Sequence, residues 1–249
     1  MLATSLRMKW PLWLCLLGLA GTAAAYVLPG GAILRRMVEA REELHLGSAR
    51  VEGTLALSGG AMAELGSELP EYRTDAVFLL RVPGRCRLDA SAPDARPLTV
   101  VVSQGKRRAE GPAVAALGYA VQEVCALLAL RSSSEADARA SLEQQLRALQ
   151  VDTHETSLGR LGGRVAYVLG ASKPGAGQLW VFKDSFLPAQ LRFTDEHGTS
   201  WQVRFIDFSS PATGAWFPRA VEVSRGNELQ ARFTTLRGDN HASVPEKLF

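Results

Sequence analysis

The feature that most constrains the fold is a long series of short segments in which apolar and polar residues alternate. In residues 51–57, Val51, Gly53 and Leu55 alternate with polar neighbours, which is the period of two expected of a β-strand with one buried face. Together with segments that do not alternate, twelve strands are predicted, at residues 51–57, 74–82, 85–90, 98–103, 106–110, 151–157, 164–169, 178–184, 189–195, 199–208, 216–224 and 228–236. Turns rich in glycine and proline separate them, which favours antiparallel neighbours. About 11–12 strands in one sheet must curl or close, because a flat sheet would leave long edges and one bare face.

Three helical segments accompany the strands. Residues 29–46 carry apolar side chains at helical spacing on one side and charged side chains on the other. Residues 112–130 are apolar on almost every side, with Glu123 among the few exceptions, as expected of a helix packed between other structure. A third helix begins with the capping box Ser132-x-x-Glu135. The sequence therefore predicts an α+β fold in which helices cover a strongly curved antiparallel sheet.

The N-terminal 25 residues have the layout of a cleavable signal peptide. The apolar run from Trp10 to Gly21 is 12 residues long, too short to span a bilayer as a helix of about 20 residues. The small residues up to Ala25 then fit a cleavage site after Ala25. The alternative is an N-terminal anchor that is never removed. We expect an exported protein whose mature chain, residues 26–249, forms one domain.

Charge and motif content exclude several function classes. The chain has 28 basic and 25 acidic residues, and removal of Arg7 and Lys9 with the signal peptide leaves 26 against 25. This balance gives no reason to expect binding to nucleic acid or to an acidic membrane surface. The histidines are scattered without metal-ligand spacing, and no nucleophile elbow, P-loop or dinucleotide fingerprint occurs. We therefore expect a non-enzymatic protein with no catalytic residues, no metal and no cofactor.

Cysteine usage is informative once the signal peptide is removed. Cys15 is lost with it, and Cys86 and Cys125 remain in a compartment that permits disulfides. A bond between them would close a loop of about 39 residues and stabilise the fold by about 3–4 kcal/mol on the chain-entropy model. Two unpaired buried thiols are the alternative.

Several strands are apolar on both faces. In residues 179–182, neighbouring side chains point to opposite sides of the sheet, yet all four are hydrophobic. A half-solvated antiparallel sheet has polar residues on one face, so here both faces are covered or one lines a cavity. An ordinary packed core and a cavity for an apolar ligand use the same residue types. Both interpretations stay open on the sequence.

Five local motifs, taken with the order of elements, resemble those of a known family. They are Val51-Glu-Gly-Thr-Leu55, Arg81-Val-Pro-Gly-Arg-Cys-Arg-Leu88, Leu179-Trp-Val-Phe-Lys-Asp-Ser-Phe-Leu-Pro188, Phe205-Ile-Asp-Phe208 and Gly214-Ala-Trp-Phe-Pro218. Across most of residues 29–249 the chain is similar to the periplasmic lipoprotein carriers, LolA and LolB and their relatives.

This resemblance implies an incomplete, strongly curved antiparallel barrel with an N-terminal helix and two central helices as a lid over a hydrophobic cavity. Family carriers hold the acyl chains of lipoproteins there, which implies a monomeric periplasmic lipid- or lipoprotein-binding protein that exchanges its ligand with membrane-associated donor and acceptor proteins. The alternative on the same fold is a non-enzymatic regulatory or structural module of the envelope that acts by protein contact. The implied cavity residues are Phe78, Leu80, Leu117, Val121, Val124, Leu128, Trp180, Phe182, Phe193, Trp201 and Phe205.

The resemblance also implies an arginine that controls the lid. In the carriers, an arginine of the basic hairpin strand is tied to lid closure, and Arg81 is the nearest match, with Arg85 and Arg87 as alternatives. A guanidinium could hold helix-end carbonyls and release them when ligand enters. A Cys86–Cys125 bond departs from this picture, because it would fasten the sheet to the lid helix and restrict its opening.

Overall fold

Twelve antiparallel strands form one open sheet in the computed structural model, which describes residues 27–130 and 134–249. The strands are β1 Ser48–Ser58, β2 Glu71–Arg81, β3 Arg85–Ser91, β4 Pro97–Ser103, β5 Lys106–Glu110, β6 Thr156–Leu161, β7 Arg164–Leu169, β8 Gln178–Phe182, β9 Pro188–Thr194, β10 Ser200–Ile206, β11 Ala220–Arg225 and β12 Glu228–Asp239. Their spatial order is β5-β4-β3-β2-β1-β12-β11-β10-β9-β8-β7-β6. The chain therefore runs outward to one edge, crosses to the opposite edge and returns strand by strand until β12 pairs with β1.

Four α-helices accompany the sheet within the described ranges. They are α1 Gly30–Glu42, α2 Gly60–Glu64, α3 Ala115–Leu128 and α4 Glu135–Ala148, with a 3₁₀ turn at Glu246–Leu248. Helices α3 and α4 belong to the long crossover from β5 to β6. Helix α1 packs against α4, and α3 packs against strands on both sides of β1, namely β3 and β4 on one side and β10 to β12 on the other. The sheet therefore curls around α3, and the predicted fold class is confirmed.

Several element boundaries differ from the prediction; the strand predicted at residues 216–224, for example, begins at Ala220. Strand β6 begins at Thr156 rather than Val151, because Asp152 accepts a hydrogen bond from the His154 amide in a turn and Val151 makes only an isolated bridge to Gly177. The short helix α2, which follows Gly59, was not predicted. Its Ala61 amide donates to the Gln230 side chain at 2.9 Å.

The start of α4 lies two residues later than the predicted capping box. Ser134 is the N-cap, and its hydroxyl accepts a hydrogen bond from the Asp137 amide at 3.1 Å. Ser132 lies outside the described residues, as does the predicted signal peptide with its cleavage site after Ala25. Among residues 27–130 and 134–249, no helix combines the length and the apolar character needed to cross a membrane.

Candidate functional site

The concave face of the sheet and α3 together form the candidate site. Ten of the fourteen residues of α3 are buried, and they face the sheet on one side and α4 on the other. Between α3 and the sheet lies a closed apolar space of about 10 Å³, which is room for about one water molecule. It is lined by Leu55, Phe78, Leu88, Leu117, Ala120, Val124, Val221, Val223, Ala231 and Phe233. In this conformation the side chains of α3 fill the concavity.

The structure brings nine of the eleven predicted cavity residues into one hydrophobic core. They are Phe78, Leu80, Leu117, Val121, Val124, Leu128, Phe193, Trp201 and Phe205. Among them, Phe78, Leu117 and Val124 line the small apolar space directly. These nine residues therefore share one packed core, and their role in lining a ligand cavity stays a prediction.

Trp180 and Phe182 lie on the opposite face of the sheet. Their strand neighbours Leu179 and Val181 belong to the core, so the alternation along β8 turns the two aromatic rings outward. Arg192 lies 5.8 Å from the centre of the Trp180 ring, and Arg164 lies 3.8 Å from that of Phe182. These cation–π contacts explain why β8 is apolar on both faces without both faces lining a cavity.

Sequence reasoning missed most of the lining of the apolar space. Seven of the ten lining residues were not among the candidates: Leu55, Leu88, Ala120, Val221, Val223, Ala231 and Phe233. Six of them lie in segments predicted as strands, where their period-two positions would have assigned them to the inner face, and Ala120 lies in the predicted apolar helix. The predicted set consisted mostly of α3 side chains and aromatic residues of β8 to β10, whereas the missed residues are mostly aliphatic.

A disulfide joins α3 to the sheet. Cys86 of β3 and Cys125 of α3 are bonded, with their Cα atoms 5.6 Å apart and both residues buried. This confirms the predicted pair and shows where the bond acts, in the last turn of α3. The helix that covers the concavity is thus covalently attached near its C-terminal end.

Arg41 binds the same end of α3. Its guanidinium donates from Nε and Nη2 to the Leu128 carbonyl, at 3.1 and 2.8 Å, and from Nη2 to the Trp216 carbonyl at 3.0 Å. Arg41 is only 3% exposed, and burial lowers its pKa to about 10, so it remains a cation at neutral pH. It continues the apolar stripe of Leu34, Met37 and Val38 on α1, and a charge in that stripe was the sequence signal that could have identified it.

Arg81 lies elsewhere, on the convex face. It donates to the Val244 carbonyl at 2.8 Å, and its neighbour Arg85 pairs with Glu246 at 2.8 Å. Arg87 donates to the Leu248 carbonyl at 3.1 Å. The basic hairpin thus holds the segment after β12 across the sheet, whereas the helix-end carbonyls are bound by Arg41. The latch role of Arg81 stays a prediction.

Glu123 is the second buried charge at α3. It is fully buried between α3 and α4, and its Oε2 accepts a hydrogen bond from the Gln145 side chain at 3.1 Å. Oε1 has no hydrogen-bond partner within the part of the chain that the structure describes. Burial raises the pKa of this carboxyl from 4.5 to about 7, against the smaller opposing effects of Gln145 and the Arg107 cation. A group of three or more His, Cys, Asp or Glu side chains fit to hold a metal does not occur in residues 27–130 or 134–249.

Comparisons with known proteins support the fold but not a finer assignment. No family model and no curated protein matches the chain by sequence. A LolA superfamily protein from Nitrosomonas europaea superimposes with a TM-score of 0.52 at 11% sequence identity, over 89% of this chain and 97% of that one. A DUF1329 family protein from Desulfovibrio piger gives a TM-score of 0.46 at 11% identity, over 89% of this chain and 97% of its own.

A third structure, a candidate outer membrane lipoprotein-sorting domain from Vibrio parahaemolyticus, gives a TM-score of 0.43 at 10% identity, over 84% of this chain and 94% of its own. At identities this low, structural likeness informs the fold and not the activity. The resemblance expected from the sequence motifs is therefore confirmed at the level of architecture: this chain has a LolA-like fold.

Proposed function

We propose that this protein is a non-enzymatic, periplasmic carrier that takes acyl chains of lipids or lipoproteins into the concavity beneath α3, in the trafficking of outer-membrane lipoproteins. The observation that carries the proposal is the concave apolar face of the sheet, which extends over strands on both sides of β1 and is covered by one helix. Such a surface binds by buried area, which suits an acyl chain that offers no polar groups.

Ligand uptake requires α3 to move, because the closed space of about 10 Å³ cannot admit a chain. An entering acyl chain would replace the apolar contacts of α3 with its own, and each buried methylene contributes about 0.8 kcal/mol. The exchange of one apolar surface for another keeps the cost of opening low. The disulfide supports a site of action in an oxidising compartment such as the periplasm.

A second candidate is a regulatory or structural envelope module that keeps its core closed and acts by protein contact. The observation that favours it is the filled concavity together with the Cys86–Cys125 bond and the Arg41 contacts, which hold the covering helix in place. On this alternative the convex face or a strand edge would bind a partner protein.

Native mass spectrometry of residues 26–249, purified from the periplasm under oxidising conditions, separates the two functions. A co-purifying lipid or acylated peptide that detergent displaces would support the carrier. An unliganded mass, lighter by two hydrogens for the disulfide and unchanged after addition of lipid, would contradict the carrier and favour the closed module. Exchange with membrane-associated donor and acceptor proteins would then be tested with the loaded protein.

A further inference from the structure

The two ends of α3 are attached to the rest of the molecule in very different ways. At the C-terminal end, Cys125 is bonded to Cys86, Arg41 donates twice to the Leu128 carbonyl, and the Gly84 amide donates to the Ala129 carbonyl at 3.1 Å. All three attachments fall within the last turn of the helix or directly after it. This end cannot leave the sheet while the disulfide is intact.

The N-terminal end of α3 has no covalent attachment to the sheet among the described residues, and its polar contact is weak. The Ala115 amide donates to the carboxylate of Glu64 at 2.7 Å, but Glu64 is exposed on the short helix α2. An exposed side chain that must be held in one rotamer contributes little net stability, because water competes for the same groups. One such hydrogen bond at the start of α3 is therefore easily broken and re-formed.

Tyr119 occupies the gap between the N-terminal half of α3 and the sheet. Its ring centre lies 5.0 Å from that of Phe193 and 4.8 Å from that of Trp201, on strands β9 and β10. The guanidinium of Arg107 on the edge strand β5 lies over the ring, 5.1 Å from its centre. Burial and the nearby Asp195 carboxylate raise the pKa of Tyr119, so its hydroxyl stays neutral. The ring is half buried, and it is the aromatic contact between the N-terminal half of α3 and strands β9 and β10.

We infer that the concavity opens at the N-terminal end of α3, with the last turn of that helix as the pivot and Tyr119 as the gate. Outward rotation about the Cys86–Cys125 bond breaks the Glu64 contact and withdraws the Tyr119 ring from Phe193 and Trp201. Leu117 and Ala120, on the same part of α3, then uncover the lining of the apolar space. The acyl chain enters between α3 and strands β9 and β10. This inference rests on the proposed function for the nature of its ligand, but not for the motion.

Amide hydrogen exchange of the oxidised protein tests the motion without a ligand. We expect the amides of Tyr119 to Gln122 to exchange at least about tenfold faster than those of Val124 to Leu128, because the N-terminal half of α3 loses its packing when it leaves the sheet and then unfolds locally, whereas the C-terminal half stays attached. Reduction of the disulfide should raise exchange in the C-terminal half selectively. Equal protection of both halves, or faster exchange in the C-terminal half of the oxidised protein, would overturn the inference.

Uptake of a fluorescent fatty acid tests the entry path. In a Glu64→Cys and Ala115→Cys double variant, a short bismaleimide that bridges the two new thiols should slow uptake by at least about tenfold, and a monofunctional maleimide should leave it unchanged. Undiminished uptake by the bridged protein would refute the path.

Tyr119→Ala should accelerate uptake, and Tyr119→Phe, which keeps the ring, should not. If the unmodified protein takes up no fatty acid, the carrier proposal fails and the exchange experiment alone decides whether α3 opens at this end.

Discussion

Two buried charged side chains lie at α3, Arg41 of α1 and Glu123 of α3 itself. The regions around them differ in how many hydrogen bonds they offer to the charged group. Around Arg41, the guanidinium faces backbone carbonyls of Leu128, Ala215 and Trp216, so every nitrogen of its planar head has an acceptor. Around Glu123, one carboxylate oxygen accepts from Gln145, and the other has no partner among the described residues. Both side chains are fully buried, so the difference lies in how completely their polar atoms are satisfied.

This difference determines how each region affects stability and its dependence on pH. A buried charge whose hydrogen bonds are complete stabilises the arrangement that completes them, and its removal orphans its partners. A buried charge that is only partly satisfied is neutralised instead, and it makes stability depend on pH. We therefore expect the Arg41 region to hold the end of α3 at all pH values and the Glu123 region to respond to pH.

The largest effect should come from the disulfide beside Arg41. Replacement of both cysteines, Cys86→Ala with Cys125→Ala, should lower the free energy of unfolding by about 3–4 kcal/mol, because a loop of about 39 residues is no longer closed in the unfolded chain. Urea denaturation of residues 26–249 measures the loss, with the reduced wild-type protein as control. A loss below about 1 kcal/mol would mean that the bond does not constrain the unfolded chain as the entropy model assumes.

Arg41→Met should cost about 3 kcal/mol, since it leaves the carbonyls of Leu128 and Trp216 buried without a donor, at about 1–3 kcal/mol each. The same denaturation experiment measures it, and Arg36→Met, at an exposed arginine on the same helix, is the matched control with an expected change below about 0.5 kcal/mol. Arg41→Lys should recover only part of the loss, because an ammonium cannot span two carbonyls as the planar guanidinium does. If the two methionine variants were equally stable, the fastening role of Arg41 would be refuted.

The sequence predicted the strand pattern, the crossover by two central helices and the disulfide, because alternation, helical spacing and cysteine count are local properties. It did not predict Arg41 at the end of α3, because the partners of its guanidinium are backbone carbonyls 87 and 175 residues away in sequence. The latch was sought on the basic hairpin, where Arg81 in fact binds the Val244 carbonyl. Which apolar residues line the space beneath α3 likewise depended on the curl of the sheet, which alternation alone does not specify.

Glu123→Gln should change the pH dependence of stability. The folded-state pKa is raised from 4.5 to about 7, so the folded protein retains this proton where the unfolded chain has lost it. The associated stability is present below about pH 4.5 and is lost as the pH rises through 7. The shift limits the effect to about 3 kcal/mol, and desolvation of the variant's amide lowers its stability by about 1 kcal/mol at every pH. We therefore expect the variant to be about 2 kcal/mol more stable than wild type at pH 8 and about 1 kcal/mol less stable at pH 4.5.

Urea midpoints measured from pH 4.5 to pH 8 check this prediction. Arg41→Met is the informative control, because it should lie below wild type at every pH and keep the wild-type slope. A Glu123→Gln variant with the same slope as wild type would show that another group carries the pH dependence.

Gln145→Ala gives the smallest expected effect and tests whether the one hydrogen bond to Glu123 matters. At pH 8 the variant should lose about 1 kcal/mol, because the ionised carboxylate then has no donor at either oxygen, and at pH 5, with Glu123 protonated, the loss should be smaller. Gln144→Ala, at an exposed neighbour on the same helix, should change stability by less than about 0.5 kcal/mol. In the double variant with Glu123→Gln, the cost of Gln145→Ala at pH 8 should shrink toward its pH 5 value, because the charge that needed the donor is gone. If Gln145→Ala lowered the free energy of unfolding equally with and without the Glu123 carboxylate, Gln145 would contribute only to the packing of α4. Its hydrogen bond would then not stabilise the ionised Glu123.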